Sequence, residues 1–121
     1  MKFDIPPGAI TYQLVIELRR PVCVAVGRLG EVSFPAGTYV YTGSARRGVE
    51  ARVRRHVSPQ KRLHWHIDYL LANPQARVVE IRTFFDEECV VNRRTSGDVV
   101  VPGFGASDCH AGCGAHLKRM R

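Results

Sequence analysis

Long apolar segments are missing from this chain, which narrows the kinds of protein it can be. No apolar run approaches the ~20 residues that a membrane-spanning helix needs, so we expect no transmembrane segment. The N-terminal residues MKFDIPPGAI lack the apolar core of a secretory signal, which makes the cytoplasm the expected compartment. No repeat or linker interrupts the sequence. It therefore predicts a single domain, 1–121, with a Gly/Cys/His-rich C-terminal segment at 96–117.

Acidic residues are scarce relative to basic ones. The chain has 11 Asp and Glu against 18 Lys and Arg, a formal net charge of +7. The basic residues are clustered, which favours a polyanionic partner, most often nucleic acid, over simple solubility. The residues that we expect to contact nucleic acid are Arg46, Arg47, Arg54, Arg55, Lys61, Arg62, Arg93 and Arg94.

Cysteines are few, and no secretory signal accompanies them. The four are Cys23, Cys89, Cys109 and Cys113. Without a secretory signal, reduced thiols or a metal site are expected rather than disulfides. The set Cys109, Cys113 and His116 has zinc-ligand residue types, but its spacing is less common for zinc and the tract is rich in glycine. We therefore expect a reduced, ordered loop here and no zinc.

Hydrophobic periodicity predicts strands and helices in separate blocks. Alternating or β-branched residues indicate strands, and the first two such runs, 11–18 and 22–27, are predicted to form a hairpin around Pro21. The order of elements predicts an α+β domain with a small, mainly antiparallel sheet and helices packed on it. Further strands are predicted at 31–34, 38–43 and 77–85, and helices at 48–57, 63–73 and 87–94.

The first predicted helix has one apolar side and one basic side. Val49, Val53 and Val57 form an apolar stripe at helical spacing. Arg52 and His56 are four residues apart and flank the stripe, so they either extend along the surface or face a cleft beside the core. Either placement keeps them next to the sheet.

Two further segments carry polar residues with alternative interpretations. Asp86 could cap the third helix. In the second helix, His64 and His66 do not face each other and are a poor metal chelate, whereas His64 and Asp68 are four residues apart and predict a structural polar pair near the core or, alternatively, part of the DNA groove. Trp65 is expected to pack rather than to stack on a base.

An ordered set of residues resembles the GIY-YIG nuclease superfamily. The set comprises TYQL, YVYTGS, Arg52 with His56, and Glu88 on a later helix. HWHIDYLL, ECVV and the terminal GFGASDC and HL are similar to its small standalone Uri-type branch, a domain also found fused to endonuclease III-like glycosylases. The resemblance spans roughly residues 10–117. Where the superfamily has Gly-Ile-Tyr this chain has Ile-Thr-Tyr at 10–12, and its second motif reads Tyr-Thr-Gly at 41–43.

The resemblance implies metal-dependent hydrolysis of DNA, single-stranded or structured duplex, with a repair enzyme as a candidate partner. Glu88 would hold one Mg²⁺ or Mn²⁺ ion, for which one protein carboxylate is ordinary. Arg52 would bind a non-bridging phosphate oxygen. Tyr12 would orient or deprotonate the attacking water, although a phenol is a poor base near neutral pH. Tyr41 would hydrogen-bond phosphate or water, and His56 would relay a proton.

Alternatives remain open at this point. Glu88 could simply be an acid favoured at a helix N-terminus, and neighbouring Glu87 or Asp86 could hold the metal instead. Two other functions are a nucleic-acid-binding module without turnover and an interaction protein stabilised by zinc.

Overall fold

The predicted α+β class is confirmed by a computed structural model, which describes residues 4–58, 62–106 and 112–121. Four strands are followed by two helices, a strand, a helix and a short final strand. None of the helices in those ranges is long and apolar enough to cross a bilayer. In chain order the elements are β1 (Thr11–Leu18), β2 (Val22–Ala25), β3 (Glu31–Phe34), β4 (Gly37–Ser44), α1 (Val49–Val57), α2 (His66–Leu71), β5 (Ala76–Phe84), α3 (Glu88–Arg94) and β6 (Leu117–Arg119), with one 3-10 turn at Gly27–Leu29.

The main sheet has the order β5-β1-β4-β6, and all its neighbouring strands are antiparallel. β1 lies inside the sheet and is buried at every position except Glu17. Its partnership with β4 places Tyr12 opposite Gly43 and Leu14 opposite Tyr41. The strands that carry Tyr12 and Tyr41 are therefore direct neighbours in the sheet.

The predicted hairpin between 11–18 and 22–27 is wrong. β2 pairs with β3 in a separate two-stranded ribbon, with Val22 opposite Phe34. Both edges of β1 are occupied by the longer strands β4 and β5, which form more backbone hydrogen bonds than the four-residue β2 could.

Helices cover both faces of the main sheet. On one face, Val53 of α1 and Ile67 and Leu70 of α2 are fully buried in the same core as Leu14. α3 lies on the other face, where the Gln13 side chain donates to Thr95 at the helix end, at 2.7 Å. The valine stripe of α1 is thus a core-facing stripe, as predicted.

The boundaries of two helices differ from the prediction. α2 begins at His66, three residues after the predicted start, and α3 begins at Glu88. Asp86 does not cap α3, since its carboxylate binds Arg94 Nη2 at 2.7 Å on the exposed surface. Its backbone oxygen accepts a hydrogen bond from the Thr11 hydroxyl, which ties the start of α3 to β1.

Candidate functional site

Three of the predicted site residues meet where β1 passes under α1. Tyr12 Oη lies 2.6 Å from His56 Nε2, and both side chains are almost completely buried. Arg52, one helical turn before His56, lies close enough to the Tyr12 hydroxyl to lower the pKa of the phenol. The spacing of four residues on α1 is what directs both side chains to the same phenol. Of the two placements open to Arg52 and His56, the structure shows the one beside the core.

The glycine of the Tyr-Thr-Gly motif makes room for this phenol. A Cβ atom at position 43 would lie 2.5 Å from Tyr12 Oη and 3.0 Å from Tyr41 Cε2. The Tyr41 ring lies beside the pair, with its centroid 6.4 Å from that of Tyr12 and 6.1 Å from that of His56. Gly43 is therefore required by close approach, since any side chain would push Tyr12 away.

A buried carboxylate stands behind His56. Asp68 Oδ1 lies 3.9 Å from His56 Nδ1, and both side chains are inaccessible to solvent. A carboxylate on that side favours the tautomer with hydrogen on Nδ1, which leaves Nε2 as the acceptor. Tyr12 is then the donor in the hydrogen bond to Nε2. A proton can therefore pass from Tyr12 to His56, while Asp68 acts on His56 through its charge.

Asp68 is fixed by four hydrogen bonds. Arg55 binds it with both guanidinium NH₂ groups, at 2.9 and 3.0 Å. The backbone N–H groups of His64 and Trp65 each donate to Oδ2 at 2.9 Å. Burial alone would raise the pKa of Asp68, but Arg55 and these donors hold it below its usual range. The expected His64–Asp68 side-chain pair is thus a backbone contact, and Arg55 is the charged partner.

The Trp65 ring contacts two arginines of α1. Its ring centroid lies 4.3 Å from Cζ of Arg52 and 4.4 Å from Cζ of Arg55. A guanidinium over an indole face is attracted by the ring quadrupole, and this contact limits the directions Arg52 can take. Trp65 therefore packs within the protein, consistent with the expectation from sequence.

The two tyrosines are neutral in this environment. Burial raises the pKa of Tyr12, and the nearby Arg52 only partly offsets this rise. Burial likewise raises the pKa of Tyr41, with a smaller upward contribution from Tyr12. Neither side chain is a phenolate near neutral pH. Tyr12 can take a proton from another group only as it passes its own to His56.

Glu88 joins the site from the other face of the sheet. This half-buried first residue of α3 forms an ion pair with His116 Nδ1, and its carboxylate lies near the Ser44 side chain, which lowers its pKa. Burial would raise the pKa of Glu88, but these two contacts hold it below its ordinary value. Ser44 also accepts, at its backbone oxygen, a hydrogen bond from Arg52 Nη1 at 3.2 Å. Ser44 thus links Glu88 to the tyrosine side of the site.

The other two acids considered for the metal lie elsewhere. Glu87 binds Arg46 at 2.8 Å, and Asp86 binds Arg94, both on the exposed surface. Only Glu88 of the three acts electrostatically on Tyr12 and Tyr41. Its carboxylate and the Ser44 hydroxyl are hard oxygen donors, which is the donor chemistry that Mg²⁺ and Mn²⁺ prefer.

The predicted DNA-binding arginines differ in accessibility. Arg46, Arg54 and Arg94 form exposed ion pairs with acids of the same chain. Such pairs are weak in water, so these arginines can exchange an acid for a phosphate at little cost. Arg47, Arg62 and Arg93 are also exposed, whereas Arg55 is half-buried on Asp68 and Lys61 lies outside the described residues.

Sequence reasoning missed several partners of the predicted residues. It did not connect Ser44 or His116 with Glu88, or Asp68 with His56. The only signal for Asp68 was its place in the polar helix 63–73, because contacts between α1, α2 and the C-terminal segment are set by tertiary packing. Of the zinc candidate set, Cys109 lies outside the described residues, so that expectation stays a prediction.

Comparison with known proteins gives one match. A family model described as "Domain of unknown function DUF123" matches residues 11–121, so the chain belongs to the DUF123 family. No curated protein and no solved structure matches the chain.

Proposed function

We propose that this DUF123-family chain is a metal-dependent DNA endonuclease of the GIY-YIG type, which hydrolyses phosphodiester bonds in DNA repair or processing. The observation that carries the proposal is the hydrogen bond between Tyr12 and His56, with Arg52 beside the same hydroxyl and ionised Glu88 near Ser44, whose backbone oxygen accepts from Arg52. These are the residue types and the order along the chain that the GIY-YIG resemblance requires.

In this proposal Tyr12 and His56 act together on the attacking water. Tyr12 is a neutral phenol hydrogen-bonded to the basic nitrogen of His56. As water gives a proton to Tyr12 Oη, the phenol gives its own to His56 Nε2. The imidazolium that forms is stabilised by the Asp68 carboxylate on its Nδ1 side. A phenol alone is a weak base, but here His56 accepts the proton of Tyr12 in the same step.

Arg52 supplies positive charge where the phosphate gains negative charge. Its guanidinium is held by the Ser44 carbonyl and by the Trp65 ring, and it touches the Tyr12 hydroxyl. A phosphate oxygen bound here would lie next to the nucleophile. Preorganised charge of this kind is worth more than the same charge free in water, because it needs no reorganisation during the reaction.

Glu88 is the residue that would hold the divalent ion. A bound Mg²⁺ or Mn²⁺ supplies a Lewis acid for the phosphate and charge for the leaving oxygen. Glu88 is suited to this because it is ionised, and His116 orients it from one side. Tyr41, buried next to Tyr12, donates a hydrogen bond to water or phosphate in this scheme.

The test is cleavage of labelled single-stranded, duplex, flap and abasic DNA with Mg²⁺, Mn²⁺ or EDTA. We expect cutting that needs the metal, with losses of roughly 10²–10³-fold in Arg52→Ala and in Glu88→Gln, the size of effect seen when one charge-stabilising group is removed. Matched controls are Arg82→Ala and Glu80→Gln. Their side chains pair with each other on the exposed edge strand β5, and both should keep full activity.

Three outcomes would reject parts of the proposal. Undiminished cutting by Glu88→Gln would exclude Glu88 as the metal ligand. Equal losses in the Glu80 and Glu88 variants would indicate a general effect on charge. No cutting by any protein, with tight binding at low salt that weakens as salt rises, would favour a binding module instead.

A further inference from the structure

The geometry points to a second, softer metal site, formed by Cys89, Cys113 and His116. We propose that these three side chains bind one zinc ion, which fastens the C-terminal segment to α3. The proposal concerns a different set of ligands from Cys109, Cys113 and His116, and it does not depend on whether the chain cleaves DNA. Its readout is metal binding itself.

The three ligand atoms already lie close enough to share an ion. The two Sγ atoms and one His116 nitrogen are all within 4.8 Å of one another, and Cys89 Sγ lies 4.0 Å from His116 Nε2. Zinc–ligand bonds of about 2.0–2.3 Å place tetrahedral ligands about 3.5–4 Å apart. Small side-chain movements therefore suffice to close the site. Cys89 and Cys113 are only half-buried, so an ion can reach their sulfur atoms.

His116 is oriented as a zinc-binding histidine is expected to be. Its Nδ1 is paired with the Glu88 carboxylate, while its Nε2 faces Cys89. A carboxylate on the far nitrogen fixes the ring and raises the basicity of the coordinating nitrogen, the usual arrangement around protein-bound zinc. His116 itself is almost completely buried, which prevents it from turning away.

The two thiol ligands give this site a different metal preference from the site proposed at Glu88. Two sulfur ligands and an imidazole select zinc or a similar thiophilic ion, whereas carboxylate and hydroxyl oxygens select Mg²⁺ or Mn²⁺. Within the part of the chain that the structure describes, three side chains can coordinate the ion, one fewer than a tetrahedral zinc site requires. Glu88 contacts His116. An ion bound to His116 would therefore fix the position of the Glu88 carboxylate, the proposed ligand of the catalytic metal.

The ligands come from two distant parts of the chain, which gives the site a structural consequence. Cys89 follows Glu88 on α3, while Cys113 and His116 precede β6. The backbone oxygen of His116 accepts from Thr42 N at 2.9 Å, so this segment already lies along β4. A bound ion would add a cross-link between α3 and that segment, and would stabilise the fold in proportion to its affinity.

Cobalt titration of the whole chain tests the proposal. Metal-free, reduced protein is titrated with Co²⁺ while the thiolate-to-cobalt charge-transfer band and the visible bands of tetrahedral cobalt are recorded. Wild type is expected to bind one equivalent, and zinc should displace it. Cys89→Ser and Cys113→Ser should each lose at least tenfold in affinity together with most of the charge-transfer band.

Two thiol variants serve as controls. Cys23→Ser removes an exposed thiol on β2 and should bind cobalt like wild type. Cys109→Ser should also retain the band. The proposal is overturned if wild type gives no tetrahedral cobalt spectrum, or if Cys109→Ser loses the band while Cys89→Ser keeps it. Far-ultraviolet circular dichroism of each variant separates loss of the site from loss of the fold.

Discussion

Replacing Asp68 by alanine should destabilise the protein more than replacing any exposed charged residue by alanine. The substitution removes a fully buried carboxylate that accepts two hydrogen bonds from Arg55 and two from backbone N–H groups. It leaves Arg55 and two amides without their acceptor. Breaking a buried ion pair from one side costs about 3–5 kcal/mol. For a chain of 121 residues this corresponds to a fall in melting temperature of about 12–20 °C.

Urea and thermal denaturation, followed by circular dichroism, measure this loss. The matched control is Glu50→Ala, which breaks the exposed ion pair with Arg54 on α1 and should change stability far less. A double-mutant cycle of Asp68→Ala with Arg55→Ala should give a coupling energy of about 1–3 kcal/mol. Equal losses of unfolding free energy in Asp68→Ala and Glu50→Ala would refute this reasoning, because the buried and the exposed ion pair would then contribute equally to stability.

Two further predictions concern the glycine under Tyr12 and the pH dependence of folding. Gly43→Ala should destabilise by about 1–3 kcal/mol in urea denaturation, because its Cβ has no room beside the Tyr12 phenol, and a change below about 0.5 kcal/mol would contradict this. Burial lowers the pKa of His66, whose Nδ1 accepts from Gly105 N at 2.8 Å, so the unfolded chain binds the proton more readily. Stability should therefore fall as pH drops below about 6.5. Between about pH 7 and pH 5 the fall should be shallower in His66→Gln than in wild type. Identical slopes of stability against pH in the two proteins would exclude His66 as the cause.

The local features of the fold could be predicted from the sequence. The bounds of β1 agree with the predicted strand 11–18, because the alternation of Tyr12, Leu14 and Ile16 is strong. The apolar stripe of α1 likewise predicted a helix whose Val49 and Val53 are buried. These signals come from neighbouring residues, which is why sequence alone contains them.

The pairing of strands could not be predicted in the same way. The hairpin prediction assumed that strands consecutive in sequence pair with each other, but β1 pairs with β4 and β5 and not with β2. β6 has only three residues, too few for a periodic pattern, and was not predicted. Both outcomes depend on the total hydrogen bonding and burial of a whole sheet, quantities that no short window of sequence contains.

The sequence motifs indicated which residues to consider as site candidates, but not the contacts among them. Tyr12, Arg52 and His56 were identified by motif order, and the structure brings these three into contact. Ser44 connects Arg52 with Glu88, and His116 orients Glu88. No local sequence pattern marks either residue. A serine after a strand and a histidine in a glycine-rich segment are too common to be recognised.

The contact between Glu88 and His116 also has a consequence for synthesis on the ribosome. Translation proceeds from the N-terminus, so Tyr12, Arg52 and His56 are made while His116 is still missing. The growing chain therefore has the tyrosine side of the site long before the carboxylate gains its histidine partner, and β4 gains its β6 neighbour later still. Contacts this distant in sequence form late. The contact that orients Glu88 therefore forms only after the ribosome has added the residues between Glu88 and His116.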